Sequence, residues 1–136
     1  MDIRRITDDY SVSPQIEPAD CAAIAEAGFT CVICNRPDME IPPALQSNQM
    51  RAAAEEAGLT FHELPLTHQT LMQSASTQAE LIAGASGPVL AYCASGTRST
   101  MVWALGKSGD MPADEIIAAG GAAGYDLTML RGALDR

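Results

Sequence analysis

Cys93 precedes Arg98 with only Ala94, Ser95, Gly96 and Thr97 between them, and Ser99 follows at once. A thiol, a run of small residues with one glycine, a guanidinium and a hydroxyl are the parts of an oxyanion pocket with a sulfur nucleophile at its floor. The apolar run Val89-Leu90-Ala91-Tyr92 before Cys93 reads as a strand, and the segment after Arg98 reads as a helix. Backbone N–H groups of the loop and the helix N-terminus would then point at one spot, with Arg98 closing it. The same partial charges favour a thiolate, so Cys93 is expected to titrate below the ~8.5 of a free cysteine. A buried strand-end cysteine that packs as a small hydrophobe is the plainer alternative. The coincidence of strand, Cys93, Gly96 and the Arg98-Ser99 pair weighs against it.

Each residue of the loop has a role to test. Cys93 would attack phosphorus or sulfane sulfur. Arg98 would clamp two anionic oxygens with its planar fork, because a cation gains nothing from the dipole at a helix start unless an anion is there. Ser99 is open between donating to the thiolate and capping the helix. Gly96 allows a positive φ and close backbone approach. Asp38, in Asn35-Arg36-Pro37-Asp38, is a candidate leaving-group acid, since it follows a strand of the same sheet. Arg36 and His68 are candidate rim residues. A solvated turn with Arg36 paired to Asp38, and a solvated loop histidine, are the alternatives. The loop at residues 65–74 holds no Asp or Glu, so His68 is its one titratable group.

A scaffold must position these residues. The chain has 136 residues, 47% apolar and 18% charged, which suits one globular domain over residues 1–136. Aromatics are only 4%, so the core is expected to be aliphatic and closely packed. A net charge of −9 with no basic stripe argues against nucleic acid and anionic membrane surfaces as partners. The polar N-terminus and the lack of any ~20-residue apolar stretch lead us to expect a cytoplasmic chain. Cys31-Val32-Ile33-Cys34 has the C-x-x-C pattern of a metal or redox site. In a strand, however, residues three apart face opposite sides, so core packing is favoured and no metal or cofactor is expected. Cys21 is expected to pack as well.

Along the chain, residues 3–6 and 10–13 read as a short antiparallel hairpin around Thr7-Asp8-Asp9. Helices are expected at 17–27, at 47–57 with Ser47 as cap, from Ser76 or Thr77 to about 85, and at 99–107. The spacing of Thr77 and Glu80 suits a capping box. Two short helices, 113–119 and 127–134, should flank Gly120-Gly121 and Gly124. Strands are expected at 29–34, 60–64 and 89–92. Alternating strands and helices imply a parallel sheet with helices on both faces and ligands at the carboxyl ends of the strands.

Over nearly its whole length the chain resembles the β-lactamase hydrolase-like protein phosphatase-like domain family, a bacterial branch related to the tyrosine and dual-specificity phosphatases. The likeness rests on residues 3–14, on Gly28-Phe29 through Asn35-Arg36-Pro37-Asp38, on Gly87 through Ser99, and on Ala123-Gly124-Tyr125-Asp126-Leu127. It implies an α/β fold of the protein tyrosine phosphatase type, with about four parallel core strands and a short N-terminal antiparallel hairpin. Members are described as phosphatases or as sulfur transferases, and some are fused to a persulfide dioxygenase, which suggests a functional link to such a module. One departure matters. Tyrosine phosphatases have His before the Cys and five residues between Cys and Arg, whereas here Tyr92 precedes Cys93 and four residues intervene, the rhodanese spacing. The smaller ring and the poor acid set favour a sulfurtransferase working through a Cys93 persulfide, on thiosulfate or a persulfide. A phosphatase working through a Cys93 phosphocysteine on a phosphate ester is the alternative. A non-catalytic anion or redox reader is the third reading.

Overall fold

The computed structural model describes residues 1–135. Its centre is a five-stranded sheet in the order β1-β2-β5-β3-β4. The strands are β1 (Arg4–Thr7), β2 (Tyr10–Ser13), β3 (Cys31–Cys34), β4 (Thr60–Glu63) and β5 (Val89–Tyr92). β1 pairs antiparallel with β2, while β2, β5, β3 and β4 run parallel. The expected four-stranded parallel core and N-terminal hairpin are both present.

The central strands β3 and β5 are apolar throughout because both their faces are covered. Along β5, Val89 and Ala91 enter one core and Leu90 and Tyr92 the other. Cys31 and Cys34 divide in the same way, so the C-x-x-C sulfurs lie in different cores. Helices α1 (Cys21–Glu26) and α2 (Ser47–Glu56) cover one face through Ile24, Met50 and Ala54. Helices α3 (Leu71–Ala83), α4 (Thr97–Lys107), α5 (Ala113–Ala122) and α6 (Arg131–Leu134) cover the other. Residues 99–105 of α4 are all buried, which makes it a central helix with no polar stripe to reveal it in sequence. Among the described residues, no helix is long and apolar enough to cross a membrane.

Several boundaries differ from expectation. α3 begins at Leu71, five residues or more before the expected cap, so Thr77 and Glu80 lie inside the helix and form no capping box. Its buried stripe is Leu71, Ala75, Gln78 and Ile82, and the glutamine hides the period. α4 begins at Thr97, which places Arg98 and Ser99 in its first turn. α5 continues through Gly120-Gly121 to Ala122. A Cβ on Gly120 would lie 2.4 Å from Leu127 Cδ1, so glycine is there for close packing and not to end the helix. The first expected helix splits into a 3-10 turn, Pro18–Asp20, and the short α1. The last splits into a 3-10 turn, Thr128–Leu130, and the single turn α6.

Register places the function. Tyr92 lies opposite Ser13 on one side and Cys34 on the other, and Cys34 lies opposite Glu63. All four parallel strands therefore end at one level, and the loops at 14–17, 35–46, 64–70 and 93–96 gather at that edge.

Candidate active site

The loop after β5 is held by its carbonyls. Gln15 N–H donates to Ala94 O (3.4 Å), Tyr125 Oη to Ser95 O (2.9 Å), and Thr100 Oγ1 to Gly96 O (2.8 Å). In a planar trans peptide the carbonyl and the next amide point opposite ways, so these three bonds turn the amides of Ser95, Gly96 and Thr97 the other way. The Gly96 N–H lands on Cys93 Sγ at 3.2 Å. Gly96 has φ +92°, which only glycine adopts readily. Cys93 is fully buried beneath this loop.

Arg98 stands beside Cys93 with 12% of its side chain exposed. Its Nη1 donates to Glu40 Oε2 and to Leu66 O, and Nη2 donates to Glu40 Oε1, all at 2.8 Å. This is the fork-to-fork geometry of a strong charge-assisted pair. The Glu40 hydrogen bonds raise the Arg98 pKa above its ordinary value; burial opposes them and the nearby Cys93 adds to them. The same bonds hold the Glu40 carboxyl below the usual carboxylate range, with Arg36 helping.

Other expected residues sit elsewhere. Asp38 Oδ1 accepts the Ser47 N–H (2.8 Å) and Oδ2 accepts the Ser47 hydroxyl (2.9 Å). Asp38 thus caps α2 from another loop, which Ser47 was expected to do for itself, and its carboxylate meets the positive end of the helix. Arg36 reaches Glu40 (Nε to Oε1, 3.3 Å) and Gln15 (Nη1 to Oε1, 3.3 Å), so the pairing with Asp38 that was the alternative to its rim role does not form. Ser99 Oγ donates to Asn35 Oδ1 at 2.9 Å, and so meets neither expectation for it. His68 is exposed, two residues beyond the Leu66 carbonyl that Arg98 uses.

Sequence reasoning missed Glu40, Tyr125, and a buried polar network beneath the loop. In that network Asn35 Nδ2 donates to Leu64 O and to Gln78 Oε1. Gln78 Nε2 donates to Asn35 Oδ1 and Tyr10 Oη, and Tyr10 Oη donates to Ser99 O at 2.7 Å. It ties β2, β3, the loop after β4, α3 and α4 to one another. The sequence signal available for Glu40 was the acidic cluster Asp38-Met39-Glu40, and for Tyr125 it was the quoted motif around Gly124.

The remaining thiols are structural. Burial pushes Cys31 up to about 11 and raises Cys21 and Cys34 as well. Among the described residues no three His, Cys, Asp or Glu side chains cluster as a metal site.

The family model described as "β-lactamase hydrolase-like protein, phosphatase-like domain" matches residues 2–110. A β-lactamase hydrolase-like protein of Xylella fastidiosa (strain Temecula1) is 35% identical over 131 residues, covering 93% of this chain and 30% of the relative. One of Agrobacterium fabrum is 32% identical over 127 residues, covering 90% and 29%. The chain thus spans about 30% of the length of these curated relatives. The crystal structure of a candidate phosphatase from Neisseria meningitidis superposes with a TM-score of 0.86 and 38% identity, over 99% of this chain and 97% of that one. TpbA of P. aeruginosa, solved in complex with phosphotyrosine, has a TM-score of 0.59 and 15% identity over 98% and 90%, a likeness of fold alone.

Proposed function

We propose that this chain, which belongs to the β-lactamase hydrolase-like protein phosphatase-like domain family, is a cysteine-dependent phosphatase acting through a Cys93 phosphocysteine. The observation that carries this reading is one constellation. The Gly96 amide lies on Cys93 Sγ, and Arg98 stands beside it at the start of α4. The matched family and the Neisseria scaffold support it.

The roles follow from the geometry. The Cys93 sulfur attacks phosphorus from the pocket floor. Loop amides and the N-terminus of α4 stabilise charge as it grows on the phosphoryl oxygens. Arg98, held by Glu40 and Leu66 O, presents its guanidinium to those oxygens without a search for orientation. Tyr125, Thr100 and Gln15 keep the loop carbonyls turned away from the anion.

The sulfur-transfer expectation finds no support in the matched family model or in the solved neighbours, and rests on the four-residue spacing and the poor acid set. Intact-mass measurement separates the readings. Brief exposure to an activated aryl phosphate, a dinitrophenyl phosphate, should add one phosphoryl group to wild type and none to Cys93→Ser. A sulfur gained from thiosulfate, with no phosphoryl adduct, would reverse the assignment. Tight anion binding with neither adduct would leave only an anion reader.

A further inference from the structure

We infer that the phosphatase takes phosphoryl donors whose leaving group departs as a stable anion without a proton, acyl phosphates being the class, and works poorly on esters of alcohols and ordinary phenols. This rests on the phosphatase reading and deepens it.

The observations concern the carboxylates of the segments after β3 and after α5, and the loop after β4. The Asp38 carboxylate takes two hydrogen bonds from Ser47 at the start of α2. The Glu40 carboxylate takes two from Arg98 and one from Arg36, so a proton there would break the pair that holds the guanidinium. Asp126, just past Tyr125, takes two from Thr128. The Tyr125 proton is directed at the Ser95 carbonyl that it pins. The loop at 64–70 meets Arg98 through a backbone carbonyl and carries no Asp or Glu. His68, on that loop, makes no hydrogen bond to Cys93, Arg98 or Glu40 among the described residues. The site is therefore well supplied with groups that hold a phosphoryl anion, while the carboxylates of Asp38, Glu40 and Asp126 are each already engaged by their own donors.

The chemistry balances without an acid. The Cys93 thiolate forms an S–P bond as the P–O bond to the acyl group breaks, and the electron pair leaves on a carboxylate. Water then attacks phosphorus, the S–P bond breaks, the thiolate returns, and the water's proton goes to the departing phosphate. Nothing is oxidised or reduced. A carboxylic acid of pKa about 4 leaves readily as its anion, whereas a phenol of pKa about 10 does not. The help of a general acid, worth roughly 10²–10⁴-fold, would be missing for the phenol.

The test is kcat/KM for acetyl phosphate, a dinitrophenyl phosphate, phenyl phosphate and a simple alkyl phosphate, on the reduced protein. The expected result is a fall of about 10²-fold or more from acetyl phosphate to phenyl phosphate, the least that absent acid help would give. A fall of less than tenfold overturns the inference. So does an Asp38→Asn or His68→Asn variant that keeps its rate on acetyl phosphate yet loses about 10²-fold on phenyl phosphate, since that identifies a working acid. No turnover of any donor, with no phosphoryl adduct on Cys93, instead removes the phosphatase reading itself.

Discussion

Gly96→Ala isolates the geometry of the anion loop. Two separate costs meet at this position. With φ at +92°, an L-residue carries left-handed strain of about 1–2 kcal/mol. The new Cβ would also lie 2.2 Å from Tyr125 Oη and 3.0 Å from its Cζ, so the ring or the loop must move, at a further cost of about 1–3 kcal/mol. The single variant should thus lose about 2–5 kcal/mol in urea unfolding. Its phosphatase rate should fall by more than the unfolded fraction accounts for, because the displaced peptide is the one whose N–H meets Cys93 Sγ. Tyr125→Phe alone removes the hydrogen bond to Ser95 O, worth about 1 kcal/mol. In Gly96→Ala/Tyr125→Phe the closest clash is gone while the φ strain remains. The double variant should therefore be more stable than the sum of the single effects allows, by about 1–3 kcal/mol. Strictly additive effects would show that Tyr125 does not press on the loop, and the account of how the loop is held would fail.

Glu40→Gln tests the clamp on Arg98. The Glu40 pKa is lowered in the folded state, so its contribution to stability is complete above the ordinary glutamate value of about 4.3 and is lost as pH falls through the lower folded value. The variant should be less stable than wild type at pH 7, and the two should converge in acid unfolding as pH falls below the ordinary glutamate value and through the lower folded one. The difference should also shrink with added salt, because a third of the Glu40 side chain is exposed. Asn35→Leu strands the Ser99 hydroxyl, the Gln78 amide and the Leu64 carbonyl in a buried site, at about 1–3 kcal/mol for each unpaired group. Pairing it with Gln78→Leu should cost less than the sum of the two, as read from denaturant midpoints. Asp38→Ala should lower the thermal midpoint by an amount equivalent to about 1 kcal/mol, the value of a lost helix cap.

What could be read from sequence was whatever chain proximity dictates. Cys93, Gly96 and Arg98 are neighbours along the chain, and a strand running into a helix leaves their loop one place to go. Period-two alternation was enough to send Cys31 and Cys34 into separate cores. The contacts that complete the site are of another kind. Glu40 meets Arg98 across 58 positions and Asn35 meets Ser99 across 64. No local pattern encodes such a meeting, because it depends on β3 and β5 ending at the same level. Gln78 shows the complementary difficulty. It is fully buried because its amide is satisfied by Asn35 and Tyr10, yet as a polar residue it interrupts the apolar stripe that would have announced α3.

Which of Asp38 and Glu40 meets Arg98 is decided by a single turn of chain. Both lie in the segment that leaves β3, and by composition either could face the pocket. The segment Asp38–Glu40 is a 3-10 turn, in which successive side chains are about 120° apart. Residues two apart therefore leave in different directions, and only one of the two carboxylates can look back at the rim. Pro37 starts the turn and Ile41 is buried, which orients it: Asp38 faces α2 and Glu40 faces Arg98. A carboxylate placed in this way neutralises and steers the guanidinium, whereas one free to protonate would serve the leaving group. The three residues Asp38, Met39 and Glu40 thus decide between two chemistries, and the rate on a poor leaving group measures which of them the turn selected.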